Sequence, residues 1–192
     1  MIQIRFRGHA SHYLVPQKTL ESNSLLVRRG LNSTLRNAPE PGRKITIELP
    51  GGDGKAACFK YSVNWLVHGT IKTGGESKGA NTDYREYLTL ARLYLLGQWL
   101  EVSRFQDEAL GVFAVKITAD KAAHFFADKH VAQIIRCIYE NTGGSEDRYR
   151  RLLVTIFACF AEQKDVARLK EGLPADFMAD LAVKAIGMRP WR

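Results

Sequence analysis

Hydrophobic and polar residues alternate one for one at the start of the chain, Ile2, Ile4 and Phe6 against Gln3, Arg5 and Arg7. A period of two predicts a half-buried β-strand. Gly8-His9 reads as a turn, and residues 10–15 as the returning strand of a hairpin. Pro16 suits the first turn of a helix. A short apolar helix over 17–21 follows from it, then a second around 24–31. Two prolines and a glycine within 36–43 mark a loop. The period returns to two over Lys44-Ile-Thr-Ile-Glu-Leu49, a further strand closed by Pro50-Gly-Gly.

From Asp53 onward the spacing becomes helical. Phe59, Val63, Leu66 and Val67 share a face, and Gly69 ends that helix. Residues 72–81 are glycine-rich and polar, the composition of a surface loop. Asp83 is placed to cap the next helix, in which Tyr87, Leu88, Ala91, Tyr94 and Leu95 form one apolar face. Another helix is expected over 102–115. Thr118 is read as the N-cap of one long helix reaching Tyr139, with Phe126, Ile134, Ile135 and Ile138 among its apolar positions. Asn141-Thr-Gly-Gly144 stops it. Ser145 is then the expected cap of a helix whose first turn holds Glu146 and Asp147, charges that complement the helix dipole. Its buried stripe is Leu152, Leu153, Ile156, Phe157 and Phe160. Pro174 and Asp176 open a last helix that includes Phe177, Leu181 and Ile186. Strands lead and helices follow, so the fold class is α+β grading into all-α.

The length of 192 residues fits one domain, or one domain with a helical extension. A hydrophobic fraction of 45% is enough to build a core. No apolar run is long enough to span a bilayer, and the N-terminus lacks the apolar stretch of a signal peptide. These features predict a soluble intracellular protein with no membrane partner, in nucleus or cytoplasm. Cys58, Cys137 and Cys159 are odd in number and far apart, which excludes a disulfide framework and a C-x-x-C zinc pair. Each is read as a thiol buried on an apolar helical face. The net charge of +8 is dispersed along the chain. Its densest group, Arg148, Arg150 and Arg151, adjoins Glu146 and Asp147 and is read as solvated surface. The sequon at Asn32-Ser-Thr34 carries no weight without a secretory signal.

No constellation of catalytic residues emerges. His9 and His12 have no acidic or cysteine ligand close by in sequence. His124 and His130, six apart on one expected helix, face different directions. His68 is expected to meet the terminal carbonyls of its helix. Gly51-Gly-Asp-Gly-Lys55 has Ala56 where a phosphate loop needs Ser or Thr, and Gly74-Gly-Glu-Ser-Lys-Gly79 lacks the same ending. There is neither a G-x-S-x-G elbow nor an H-E-x-x-H helix. Cys58 lies near Lys55 and Lys60, but burial beside Phe59 accounts for it. Trp65, Tyr94 and Trp99 are read as core or interface aromatics. The chain is therefore expected to have no catalytic residue, metal, cofactor or small-molecule substrate.

Several segments are similar to the BTB/POZ domain of the filamentous-fungal type. Ile45-Thr-Ile-Glu-Leu-Pro50 resembles the family's strand leading into its third helix. Phe59-Lys-Tyr-Ser-Val-Asn-Trp-Leu-Val-His-Gly69 resembles Phe-x-x-x-Val-x-Trp-Leu-Tyr-x-Gly, with Val67 and His68 in place of Tyr-Thr. Leu93-Tyr-Leu-Leu-Gly-Gln-Trp-Leu100 and Phe105-Gln-Asp-Glu-Ala-Leu110 are similar to the paired helices that follow. Ile135-Arg-Cys-Ile-Tyr-Glu-Asn-Thr142, Arg150-Arg-Leu-Leu-Val154 and Leu173-Pro-Ala-Asp-Phe-Met-Ala-Asp-Leu181 resemble the family's helical tail. The resemblance covers most of the chain. It implies a BTB/POZ-like domain over 1–117, with a small three-stranded sheet packed on a helical bundle, and a C-terminal helical extension over 118–192. It also implies a non-enzymatic protein-interaction and self-assembly module whose partner is another protein or a second copy. Ile2, Ile4, Phe6, Leu20, Leu25 and Leu26 are the interface candidates it suggests.

The chain departs from the family in two places. It starts at Met1 without the acidic segment that often contributes to the family dimer, and Pro16-Gln-Lys18 replaces a His-Lys context. Members that recruit cullins use an apolar-x-Glu element near the third helix, where this chain has Lys55 and Lys60 and no acid. A cullin-type ubiquitin-ligase adaptor is therefore the alternative reading. A nucleic-acid-binding protein using its basic surface is another.

Overall fold

In the computed structural model, the opening alternation forms β1 (Ile2–Phe6), which sits at the centre of a three-stranded sheet of order β2-β1-β3. The structure describes residues 2–8, 10, 12–24, 28–29, 45–49, 55–73, 82–117, 119–128 and 130–188. Strand β2 (His12–Val15) runs antiparallel to β1, with Ile2 opposite Val15 and Gln3 opposite Leu14. Strand β3 (Ile45–Leu49) runs parallel to β1, pairing Ile2 with Ile45 and Phe6 with Leu49. A parallel neighbour needs a crossover rather than a tight turn, and the chain between β2 and β3 supplies one. It contains α1 (Gln17–Asn23). The remaining described elements are helical: α2 (Lys55–His68), α3 (Thr82–Trp99), α4 (Ser103–Lys116), α5 (Ala119–Ala127), α6 (Val131–Asn141), α7 (Arg148–Phe160), α8 (Gln163–Leu169), a 3₁₀ turn (Lys170–Gly172) and α9 (Ala175–Gly187). The class is mixed α+β, with a small sheet and mostly helix. Among the described residues no helix is long and apolar enough to cross a membrane.

The chain forms two compact units, Met1–Thr73 with Arg92–Ala109, and Gly74–Ala91 with Leu110–Arg192. In the first, Ile2, Ile4 and Phe6 are buried while Arg5 between them is exposed. Phe59 of α2 receives Phe6 and Tyr13 edge-on, with ring centroids 5.2 and 5.1 Å away. Trp65, one and a half turns on, packs against Phe105 at 5.1 Å. Gly69 donates its N–H to the Trp65 carbonyl at 2.7 Å, and its φ of +73°, a left-handed geometry that suits glycine, turns the chain out of α2. Ser24, buried beyond α1, donates its hydroxyl to the Leu100 carbonyl at 2.7 Å.

In the second unit the aromatic rings form a chain of edge-on and tilted contacts. Phe113 meets Tyr87, Phe125 and Tyr149, and Phe157 bridges Phe126 to Phe177, which meets Tyr139. Offset and edge-on pairs of this kind contribute about 0.5–1.5 kcal/mol each beyond the area they bury.

The single helix expected from Thr118 to Tyr139 is two helices. The Asp128 carboxylate accepts the backbone N–H of His130 at 2.7 Å, and the Asp128 N–H donates to Phe125 at 3.2 Å. This local bonding displaces the regular helical ladder, so α5 ends at Ala127 and α6 begins at Val131. His124 and His130 therefore lie on different elements; Thr118 is outside the described residues. Phe126, Ile134, Ile135 and Ile138 are all buried.

Helix α7 is capped by Asp147, not by Ser145. Its carboxylate accepts from the N–H groups of Tyr149 at 2.9 Å and Arg150 at 3.1 Å, as an N-cap aspartate does. Helix α3 starts at Thr82, one residue before the expected cap Asp83. Its apolar face is wider than five positions: Leu90, Leu93 and Leu96 are buried along with Tyr87, Leu88, Ala91 and Tyr94. In α7, Leu153, Ile156 and Phe157 are buried as expected, but Phe160 at the last position is exposed. Periodicity selects an apolar stripe without saying where its cover ends.

Gly97 of α3 lies tightly against α4 within the first unit. A Cβ there would sit 2.8 Å from Gln106 Cγ, 3.1 Å from Phe105 Cδ1 and 3.2 Å from the Gln106 nitrogen. Gly97→Ala gains about 1 kcal/mol of helix propensity but must open this contact, which costs about 1–3 kcal/mol. The expected net effect in urea denaturation is a loss of about 1 kcal/mol. Gly111, in α4 with nothing within 4 Å of such a Cβ, is the contrast. Gly111→Ala is expected to stabilise by about 0.5–1 kcal/mol in the same assay.

Candidate protein-interaction surfaces

Strand alternation decides which hairpin side chains can meet a partner. Ile2, Ile4 and Phe6 have no exposed area, and Leu20 on α1 is 3% exposed. These four belong to the core of the chain itself, where the inner face of β1 meets Phe59. Leu25 and Leu26 lie outside the described residues. The outward apolar side chain of the hairpin is Leu14, 53% exposed and paired across the strands with Gln3. Its position was readable from the alternation, because burying Val15 forces Leu14 to the opposite face.

Leu20, Phe59, Trp65, Leu100, Val102 and Phe105 surround an apolar cavity of about 20 Å³, room for about one water. Asn23, Trp65 and Leu66 border it and also wall a wider cleft of about 250 Å³ with Gly69, Arg104 and Glu108. That volume lies below the roughly 300–1,000 Å³ of small-molecule pockets. The lining of this cleft is mostly polar, with Arg104, Glu108 and Asn23 beside Trp65 and Leu66. Lys60, also on α2, holds its ammonium 5.0 Å from the Tyr61 ring centroid. Val67, on the same helix, is 60% exposed.

The arginine cluster is not the uniformly solvated surface expected from sequence. Arg148 and Arg151 are exposed, and Arg151 lies 3.7 Å from Glu146. Arg150 is 6% exposed. Its Nε donates to the Thr142 hydroxyl at 2.8 Å, and Nη2 donates to the Tyr139 carbonyl at 2.7 Å and the Thr142 carbonyl at 2.5 Å. Its guanidinium also stands 4.2 Å from the Tyr139 ring centroid. These carbonyls lie at the end of α6, where the helix leaves acceptors without intrahelical donors and carries negative partial charge.

Other arginines act in the same way. Arg28 donates to the Glu21 carbonyl at 2.9 and 2.7 Å in the last turn of α1. Arg168 donates to the Phe126 and Ala127 carbonyls at the end of α5. Arg136 donates to the Gly172 carbonyl at 3.0 Å, where the 3₁₀ turn ends. Part of the basic excess is thus engaged with helix C-termini. Tyr139 donates its hydroxyl to Asp180 at 2.9 Å. Burial, then that hydrogen bond and the charge of Asp180, hold the phenol well above its ordinary range.

The other sequence candidates scatter. Cys58 is buried, Cys137 half-buried and Cys159 exposed, so the expectation of three buried thiols fails at Cys159, near the exposed end of α7. His12 and His68 are exposed; His130 stacks on Tyr84 at 4.2 Å, and the Tyr84 hydroxyl donates to Gln133 at 2.5 Å. Trp65 and Tyr94 are buried and Trp99 half-buried. His9, residues 51–54 of the glycine-rich segment before Lys55, the segment 74–79 and the sequon at Asn32 lie outside the described residues. Among the described residues no group of three or more His, Cys, Asp or Glu side chains is placed to hold a metal.

Replacing Arg150 by alanine leaves the α6 carbonyls without their charged donor inside the fold. Arg150→Ala is expected to cost about 3 kcal/mol in chemical denaturation, and Arg148→Ala no more than about 0.5 kcal/mol. Equal effects of the two would contradict the buried role of Arg150. No protein-family model matches the chain, and no curated protein matches it in sequence.

Proposed function

We propose that the chain is a BTB/POZ-like protein-interaction and self-assembly module with a helical tail, acting inside the cell by contact and not by catalysis. The observation that carries this reading is the sheet topology. A central β1 has β2 antiparallel on one side and β3 parallel on the other, with α1 in the crossover and α2 directly after β3. The segments similar to the family fall on these elements in order: 45–49 on β3, 59–68 on α2, 93–99 on α3 and 105–110 on α4.

The mechanism is burial of apolar surface that the chain leaves open. In the N-terminal region that surface is Leu14. The cullin-adaptor alternative lacks its acidic element at Lys55 and Lys60. The nucleic-acid alternative is weakened by the engagement of Arg150 with the end of α6.

Light scattering of the purified chain over a concentration series at two salt levels tests self-assembly. The mass is expected to rise above the 21.6 kDa of one chain as concentration increases, with weak dependence on salt because apolar burial drives it. Leu14→Lys is expected to raise the dissociation constant about tenfold. A mass of one chain at every concentration would refute self-assembly. An unchanged constant for Leu14→Lys would remove the hairpin from the interface.

A further inference from the structure

The cleft of about 250 Å³ bordered by α1, α2 and α4 holds polar groups that the described chain leaves unanswered. All of its described walls belong to the first unit. Arg104 and Glu108 stand one turn apart on α4, the first exposed and the second half-buried. They do not pair, and among the described residues neither has another partner. With arginine N-terminal to glutamate, their order is the weaker one for a helical ion pair. Trp65 is 7% exposed, and among the described residues no acceptor meets its indole N–H. The small cavity it also borders has apolar walls, which leaves the cleft as the space that N–H faces. Asn23 donates its Nδ2 to the Thr19 carbonyl at 2.8 Å and the Ser22 hydroxyl at 3.1 Å, and no described donor meets its Oδ1.

We infer that this cleft binds a free α-amino acid with a small apolar side chain, of the class of L-valine. The balance of donors and acceptors selects that class. The Arg104 guanidinium and the Trp65 N–H donate, as a carboxylate requires. The Glu108 carboxylate and the Asn23 Oδ1 accept, as an ammonium requires. A group with a single charge, such as one acidic or basic side chain, would meet either Glu108 or Arg104 as a like charge. A zwitterion answers both.

Size agrees with charge. The cleft has the volume of about eight waters in the liquid, too little for a drug-sized ligand and enough for a small amino acid. Leu66 is the apolar wall that the ligand side chain meets, and it also borders the cavity of about 20 Å³. That cavity admits about one methyl-sized group, so a short branched side chain fits better than a long or aromatic one. The inference needs only α1, α2 and α4 and stands apart from the BTB/POZ-like reading.

The test follows the Trp65 indole N–H by nuclear magnetic resonance of the full, isotope-labelled chain as L-valine is added. The signal is assigned by its loss in Trp65→Phe. It is expected to move saturably, with a dissociation constant of about 1 mM. Isobutylamine, which lacks the carboxylate, and 3-methylbutanoate, which lacks the ammonium, are each expected to bind about tenfold more weakly or worse. Arg104→Gln and Glu108→Gln change side chains that hold nothing in the described fold and keep the indole signal. Each is expected to weaken L-valine about tenfold. No movement of the signal at about 20 mM L-valine would overturn the inference. So would equal binding of either half-ligand, or undiminished affinity in both variants. A chain that binds L-valine yet keeps the mass of a monomer would uphold this inference while refuting self-assembly.

Discussion

A buried guanidinium holds the second unit in register. Arg150 satisfies the carbonyls that end α6, lies over the Tyr139 ring, and belongs to the first turn of α7, whose N-cap is Asp147. One side chain therefore links the stop of one helix to the start of the next, across a turn in which Gly144 takes φ +77°. Tyr139, placed by that contact, donates to Asp180 on α9. The course of α9 follows from this chain of contacts. Desolvating a charge is expensive unless its donors are met, and here carbonyls and a hydroxyl meet them.

The same physics runs through the basic composition. Arg28, Arg168 and Arg136 each donate to a carbonyl at the end of a helix or helical turn. Cations at helix C-termini contribute about 0.3–1 kcal/mol each when exposed, and more when partly buried. The net charge of +8 thus has structural uses. Surface apolar area, in contrast, is left over at particular places: Leu14 on the hairpin, Val67 on α2, and Val183 with Ile186 on α9. Under the proposed function, such area is what would meet other chains.

The strands were legible because a period of two is a local property, and β1 and β3 lie within a residue of their expected ends. The ends of α2 and α4 were legible for a similar reason, since Gly69 and the apolar spacing mark them. The break between α5 and α6 was not, because it depends on how Asp128 bonds to the backbone two residues on, and an aspartate inside a helical pattern does not announce that choice. Nor was Arg150, whose type suggests surface and whose burial depends on where α6 stops. Periodicity found Phe160 and Ile186 on apolar stripes, yet both are exposed. A stripe says which side of a helix is apolar; only the neighbouring elements determine how much of it is covered. The interface candidates Ile2, Ile4 and Phe6 were found by the same alternation that buries them.

The central claim is that this chain works through apolar surfaces that meet other chains, a second copy first among them. Hydrogen–deuterium exchange followed at low and high protein concentration tests it most directly, because it reports association and its location together. The account predicts slower exchange at high concentration in residues 12–15, with the helices of the second unit unchanged. Exchange that is independent of concentration throughout the chain would contradict it.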